Sequence, residues 1–390
     1  MGRKKNKKIA TSITKPSPKE KLFETTWYSS FQHNLIVQDN YHPVFLGSEN
    51  VLTHCPTLFV FGGSISGGGD FLEHVQFLKL SNIISSFTDR QLRDLSTNDL
   101  DTENTLQLKW EEIRVDERPP AREFPCLSYD KQNQCVYLFG GFGNTYLNDF
   151  WKFDLASREW TEIETTGTAP TPRCGCSGCY APSRGKFYVF GGYHGDYLKD
   201  FYELDLETNE WQLLNYSHDI PSLTVLSLNT DASKDYLTIF GGYTMSKYVT
   251  DMYHFDFNRN KWENSVRNLI HSDGHTFHSR CITLRGKYRG IPNYNNFLIL
   301  YYNGGTTIYE YDEEEGERIK YKVPKKLEST FEKLDAKFIC EINEDTLLIL
   351  ENTELYLIEI RKLKSTKGLD YFINNLKERI QNFSDISFIN

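Results

Sequence analysis

The chain has 390 residues and a formal charge of −9 at pH 7, with 39% hydrophobic and 25% charged residues. These values exclude a wholly disordered, collagen-like or coiled-coil chain. Its 26 Phe, 24 Tyr and 6 Trp against 3 Met lean towards β structure and say nothing of chemistry.

The charge is unevenly spread. Residues 1–21 hold eight Lys or Arg against Glu20 alone, a charge of +7 that leaves −16 on the rest. An acidic body does not suit nucleic acid. The basic run suits anionic surfaces or a weak nuclear-import signal. Residues 1–22 are expected as a disordered basic tail. No apolar stretch reaches the ~18–20 residues of a membrane span. No apolar core follows the basic residues, so a secretory signal is not expected. Asn6 stands where myristoylation wants Ser or Thr. The expected setting is cytoplasmic with access to the nucleus, and the eight Cys are expected as reduced thiols.

Beyond the tail, an apolar run ending in Gly-Gly recurs: TLFVFGG at Gly62-Gly63, VYLFGG at Gly140-Gly141, FYVFGG at Gly191-Gly192, LTIFGG at Gly241-Gly242 and LILYYNGG at Gly304-Gly305. An Asp follows the first four doublets by 8, 9, 9 and 10 residues: Asp70, Asp149, Asp200 and Asp251. A Trp follows at Trp110, Trp160, Trp211 and Trp262, 11 residues after the Asp in the last three. The apolar run reads as a buried second strand, and the doublet permits a sharp exit with positive φ. The segment after the Asp reads as an alternating third strand with one face packed and one wetter. The Trp marks an outer fourth strand. Such a unit cannot bury both faces alone, so several must stack.

Doublet, Asp, aromatic and Trp at these offsets resemble the kelch repeat over roughly residues 24–361. The resemblance implies an all-β, six-bladed kelch β-propeller with one four-stranded blade per repeat. The segment TTWYSSF around Trp27 reads as an outer strand without preceding strands. Three C-terminal strands, KFICEI (337–342), TLLIL (346–350) and ELYLIEI (354–360), have neither doublet nor Trp. The N-terminal strand is therefore expected to complete the last blade and close the ring. The domain thus spans 23–361. Blade one carries a polar insertion at 81–107, expected as a loop, and blade five a shorter one from Arg285 to Asn296. In 362–390, Leu369, Phe372, Ile373, Leu376, Ile380 and Phe383 fall at helical spacing, which reads as a short C-terminal amphipathic helix.

Arg122, Arg173 and Arg280 stand just ahead of the first strands of blades two, three and five; Val44 and Leu223 hold that offset in blades one and four. These arginines should share a face with the loops after the doublets. Those loops hold Phe142, Tyr146, Tyr193, His194, Tyr197, Tyr243, Met245 and Tyr248. In kelch propellers this face docks peptides, and arginines at the matching position read acidic groups. The resemblance therefore implies a partner-binding site of Arg122, Arg173, Arg280, Phe142, Tyr146, Tyr193, His194, Tyr197, Tyr243 and Tyr248. The plainer reading has each Arg bonding loop carbonyls. On the binding reading, reversing the charge of Arg122 and Arg173 together abolishes ligand capture without unfolding.

Cys174, Cys176 and Cys179 form a C-x-C-x-x-C run. A strand would send 176 and 179 to opposite faces, so packing is expected rather than zinc. Asp273, His275 and His278 precede the first strand of blade five and read as polar residues at the ring mouth. No GxSxG elbow, HExxH motif or phosphate-cradling P-loop is present. No cofactor, no metal and no catalysis are expected. The expected function is a non-catalytic scaffold or adaptor that binds a protein segment, in the manner of a ubiquitin-ligase substrate receptor or a trafficking adaptor. With about 22 residues before the ring and 29 after it, no BTB or F-box recruiting domain is expected within this sequence. The alternatives are a metal-dependent kelch-like enzyme using His275 and His278, and an RNA- or ribosome-associated platform using the basic tail.

Overall fold

A computed structural model of the chain describes residues 19–32, 43–46, 49–65, 70–81, 108–217, 220–230 and 236–266, and strands at 279–286, 294–302, 306–312, 317–322, 338–343, 346–350 and 354–361. The predicted tail before residue 19, most of the blade-one insertion, Asp273, His275, His278 and the C-terminal helix lie outside the described residues.

The described residues form antiparallel four-strand units that follow the repeat. Blade two runs Cys126–Asp130, Cys135–Phe142, Tyr146–Asp154 and Glu159–Glu162. Blade three runs Ser177–Ala181, Lys186–Tyr193, Tyr197–Asp205 and Glu210–Leu213. Blades one and four follow the same order, from Val44–Leu46 to Glu111–Ile113 and from Ser227–Thr230 to Lys261–Val266. Blades five and six are joined into one eight-stranded sheet by Lys19–Gln32. First strands of successive blades lie side by side around the ring. A shared cluster of Leu58, Val60 and Trp110 with Phe338, Leu348, Leu350 and Leu355 packs blade one onto blade six.

The turn from third to outer strand is set locally. Asp154 Oδ1 accepts the backbone N–H groups of Ala156 and Ser157 at 2.9 Å, and Arg158 takes φ +61°. Asp205 and Asp256 repeat this device one and two blades on, with Asn209 and Asn260 at positive φ. An Asp that bonds the backbone two and three residues on starts the turn.

The Trp then enters the seam between blades. Trp160 sits 5.0 Å from Phe61 of blade one, Trp211 5.4 Å from Phe139 of blade two, and Trp262 5.4 Å from Phe190 of blade three. All three are buried. Each bridges its own third strand and the preceding blade's second strand, so these aromatics form the seam between blades.

Three expectations change. The third strand of blade three has no wet face over its central four residues. Phe201, Tyr202, Glu203 and Leu204 are buried in succession, Phe201 towards blade four and Tyr202 and Leu204 towards blade two. A blade held between two neighbours packs on both faces, so alternation sorts neighbours rather than core from water. In blade five, Ser279–Gly286 and Tyr294–Tyr302 stay paired through Leu284↔Asn296, Arg285↔Asn295 and Gly286↔Tyr294. The expected insertion therefore overlaps the paired strands at residues 285–286 and 294–296, and its remainder lies outside the described residues. The N-terminal strand does complete the last blade, pairing Trp27↔Glu359 and Gln32↔Glu354 antiparallel to Glu354–Arg361. It begins at Lys19, however, inside the stretch assigned to the tail. Lys19–Glu24 run parallel to Glu317–Lys322 of blade five, with Lys19 opposite Glu317, Glu20 opposite Arg318 and Glu24 opposite Lys322. Trp27→Ser is expected to lower the melting temperature by several degrees, read by differential scanning fluorimetry; an unchanged melt rejects Trp27 as part of the closure.

Candidate protein-binding face

The doublets position the loops of the candidate site. Gly140 and Gly191 take φ +61° and +65°, and their partners Gly141 and Gly192 take +114° and +103°. Gly192 N donates to Leu223 O of the next blade at 2.8 Å, while Leu223 N donates to Leu198 O at 3.0 Å. Arg173 makes the same two bonds to Gly141 and Leu147, and Arg122 to Gly63 and Leu72. The offset holding Arg or Leu is therefore a backbone clamp between blades, and only its side chain varies.

Arg122 and Arg173 are 0% exposed. Arg122 Nη1 and Nη2 donate to the Asp149 carboxylate at 2.6 and 2.7 Å, Nη1 also to Gly140 O at 3.0 Å, and Nε to Pro120 O at 2.8 Å. Arg173 grips Asp200 at 2.6 and 2.8 Å, Gly191 O at 3.0 Å, and Thr171 through its carbonyl and hydroxyl at 2.9 Å. Both arginines bond loop carbonyls and, beyond that plainer reading, lock the doublet and the repeat Asp of their own blade. Burial takes Arg122 and Arg173 off the solvent-exposed face on which they were expected. The double charge reversal is accordingly expected to unfold the ring. Arg280 lies in the first strand of blade five, with Leu300 as its register partner. Trp151 belongs to the same network, its Nε1 donating to Asp149 Oδ2 at 2.7 Å. That explains the one Trp outside the outer-strand pattern.

The aromatic residues do come together. In blades two, three and four the residue after the doublet is fixed by a backbone pair with the residue after the clamp. Phe142 exchanges N–H···O bonds with Glu123 at 2.8 and 2.7 Å, Tyr193 with Cys174, and Tyr243 with Thr224. A tight loop then returns through Tyr146, Tyr197 and Tyr248. The rings form an unbroken series across four blades: Phe71–Phe142 at 6.0 Å, Phe142–Tyr146 at 5.1, Tyr146–Tyr193 at 6.1, Tyr193–Tyr197 at 5.3, Tyr197–Tyr243 at 5.7 and Tyr243–Tyr248 at 4.6. His194 lies 4.8 Å from Tyr146 and is exposed. All the other rings of this arc are partly exposed, and Met245 at its end is 77% exposed. Partial desolvation holds the Tyr146, Tyr197 and Tyr248 hydroxyls above the ordinary phenol range, so they remain neutral donors. Phe71 escaped sequence reasoning because blade one has Ser64 after its doublet. The signal available was the Asp-aromatic pair Asp70-Phe71.

The cysteines pack as strand geometry demands. Cys176 joins the seam with blade two and Cys179 the seam with blade four. Burial pushes the Cys174 thiol up to about 11 and that of Cys176 to about 12, which makes them poor nucleophiles and poor metal ligands. Among the described residues no three His, Cys, Asp or Glu gather in a group that could hold a metal, and no helix is long and apolar enough to cross a membrane.

A family model, the KLHDC2/KLHL20/DRC7 Kelch-repeats domain, matches residues 87–286. Among similar curated proteins is the flagellar outer arm dynein alpha chain of Chlamydomonas reinhardtii, 28% identical over 185 residues, 43% of this chain and 4% of that protein. The Rho GTPase-activating protein gacHH of Dictyostelium discoideum is 36% identical over 113 residues, 27% of this chain and 7% of that protein. Human Kelch domain-containing protein 1 is 26% identical over 177 residues, 40% of this chain and 43% of that protein. The matched region thus spans less than half the length of each of these relatives. Repeats of this kind generally serve as non-catalytic modules for protein–protein interaction. Repeat, blade architecture and family match agree: the chain belongs to the kelch-repeat family.

Proposed function

We propose that the chain is a non-catalytic adaptor that holds a segment of a partner protein across the aromatic arc of blades one to four. The observation that carries this reading is the arc itself. Tyr-rich surfaces supply large, rigid contact area with a polar tip, the composition of binding hot spots. The loops bearing the rings are anchored by paired backbone bonds, so little ordering entropy is lost on binding. The six described thiols are unpaired, four of them buried, which suits a reducing compartment and favours a cytoplasmic adaptor with access to the nucleus. A ligase-receptor or trafficking role belongs to the partner it holds.

The test is affinity purification with quantitative mass spectrometry, comparing the native chain with Tyr146→Ala/Tyr197→Ala. The variant is expected to lose at least about 80% of the specifically retained protein, because two rings of ~1 kcal/mol or more each leave the contact. Its melt should stay within a few degrees of the parent, since both rings are partly exposed. Undiminished retention rejects the arc as the binding surface.

A further inference from the structure

The backbone and the charges of the arc narrow the kind of segment it can hold. The loops close on themselves. Gly143 N donates to Thr145 O at 3.0 Å, His194 N to Asp196 O at 3.1 Å and Thr244 N to Lys247 O at 2.9 Å. Phe142, Tyr193 and Tyr243 are already paired with the residues after the clamp. A ligand that adds as a β-strand finds these groups taken, so recognition falls to side chains. Those side chains offer ring faces and phenols. Phe142, Tyr146, Tyr193, Tyr197 and Tyr243 are each partly exposed. Among the described residues the hydroxyls of Tyr193, Tyr197 and Tyr243 have no hydrogen-bond partner, so each can donate to a ligand carbonyl. The exposed charges along the arc offset each other, Asp70 and Asp196 standing with Lys199 and Lys247. Arg122 and Arg173 are spent inside their blades. The face therefore favours neither an acidic nor a basic segment.

We propose that the arc binds an uncharged, proline-rich segment of a partner protein in the polyproline II conformation. Its proline rings lie on the aromatic faces from Phe142 to Tyr243, and its carbonyls accept from the tyrosine hydroxyls. Proline lacks the amide N–H that would seek a sheet edge, and polyproline II leaves every carbonyl without an internal bond. Aromatic-lined surfaces take such segments because the ligand is ordered before it binds. The lengths agree. Polyproline II rises about 3.1 Å per residue, so two residues advance about 6 Å. Neighbouring rings from Phe142 to Tyr243 lie 5.1–6.1 Å apart. This inference rests on the arc being the partner surface.

Fluorescence anisotropy on the full chain tests it, with four labelled peptides of equal length built on Pro and Ala, on Gly, Ala and Ser, on Lys and Ser, and on Glu and Ser. The Pro peptide is expected to bind at least about tenfold tighter than the other three, with little change between low and physiological salt. Tyr197→Phe keeps the ring and loses the hydroxyl, and should weaken that binding about fivefold. Tyr197→Leu loses both and should weaken it about tenfold or more. Parent-like binding by Tyr197→Leu overturns the proposal. A Pro peptide held no tighter than the Gly peptide overturns it, as does preference for either charged peptide. If the Tyr146→Ala/Tyr197→Ala chain loses its partner while the parent shows no preference for the Pro peptide, the binding surface stands and the ligand class falls.

Discussion

Arg173→Ala is expected to reduce the unfolding free energy by about 3 kcal/mol, towards the lower end of what breaking a buried ion pair costs. The substitution strands the Gly191 carbonyl and the Asp200 carboxylate, both of which Arg173 now satisfies at 2.6–3.0 Å. Asp200 keeps 28% side-chain exposure, so water relieves part of the penalty. Arg173→Lys should recover little, because an ammonium cannot span two carboxylate oxygens and a carbonyl from one planar fork. Arg173→Met/Asp200→Leu should recover much of the loss, since removing both charges leaves nothing unpaired. Denaturant titration of the four proteins reads these values directly. A loss below about 0.5 kcal/mol for Arg173→Ala, the range of a surface change, would return this arginine to the list of ligand-reading groups.

Gly191→Ala is expected to be at least as damaging, at about 3–4 kcal/mol. A Cβ there would lie 2.4 Å from Leu223 O and 3.3 Å from Leu198 O, and φ is +65°. The left-handed backbone alone costs an L-residue about 1–2 kcal/mol. The remainder comes from displacing Leu223, whose carbonyl and amide make both clamp bonds to blade three, each worth about 1 kcal/mol. Gly195→Ala supplies the comparison. Its φ is +74°, with nothing within 4 Å of the added Cβ, so only the backbone term of about 1 kcal/mol applies. Parallel melts that ranked the two substitutions equally would show that the clamp adds nothing to the seam.

The seam explains which residues could be read from the chain. The Gly doublets and outer-strand tryptophans repeat because every blade must meet its neighbour in the same way, so their spacing recurs. The arginines repeat for the same reason, and that repetition made them look like a shared site. Spacing places Arg173 ahead of its strand; it does not say whether the side chain points out to a ligand or back to an Asp 27 residues on. The structure sends it back, because Gly191 O and Asp200 converge beneath the loop.

The sequence by itself determined the blades, their order and the closing role of the N-terminal strand, since periodic burial leaves a periodic pattern. It also placed Tyr146, Tyr193, Tyr197, Tyr243 and Tyr248 in loops of one face. Only the tertiary structure decided that these rings join with Phe71 into one line across four blades, and that the arginines lie beneath it. The reason is geometric. Ring contacts such as Tyr146–Tyr193 and Tyr197–Tyr243 span separate blades and depend on their mutual rotation, which no local spacing encodes.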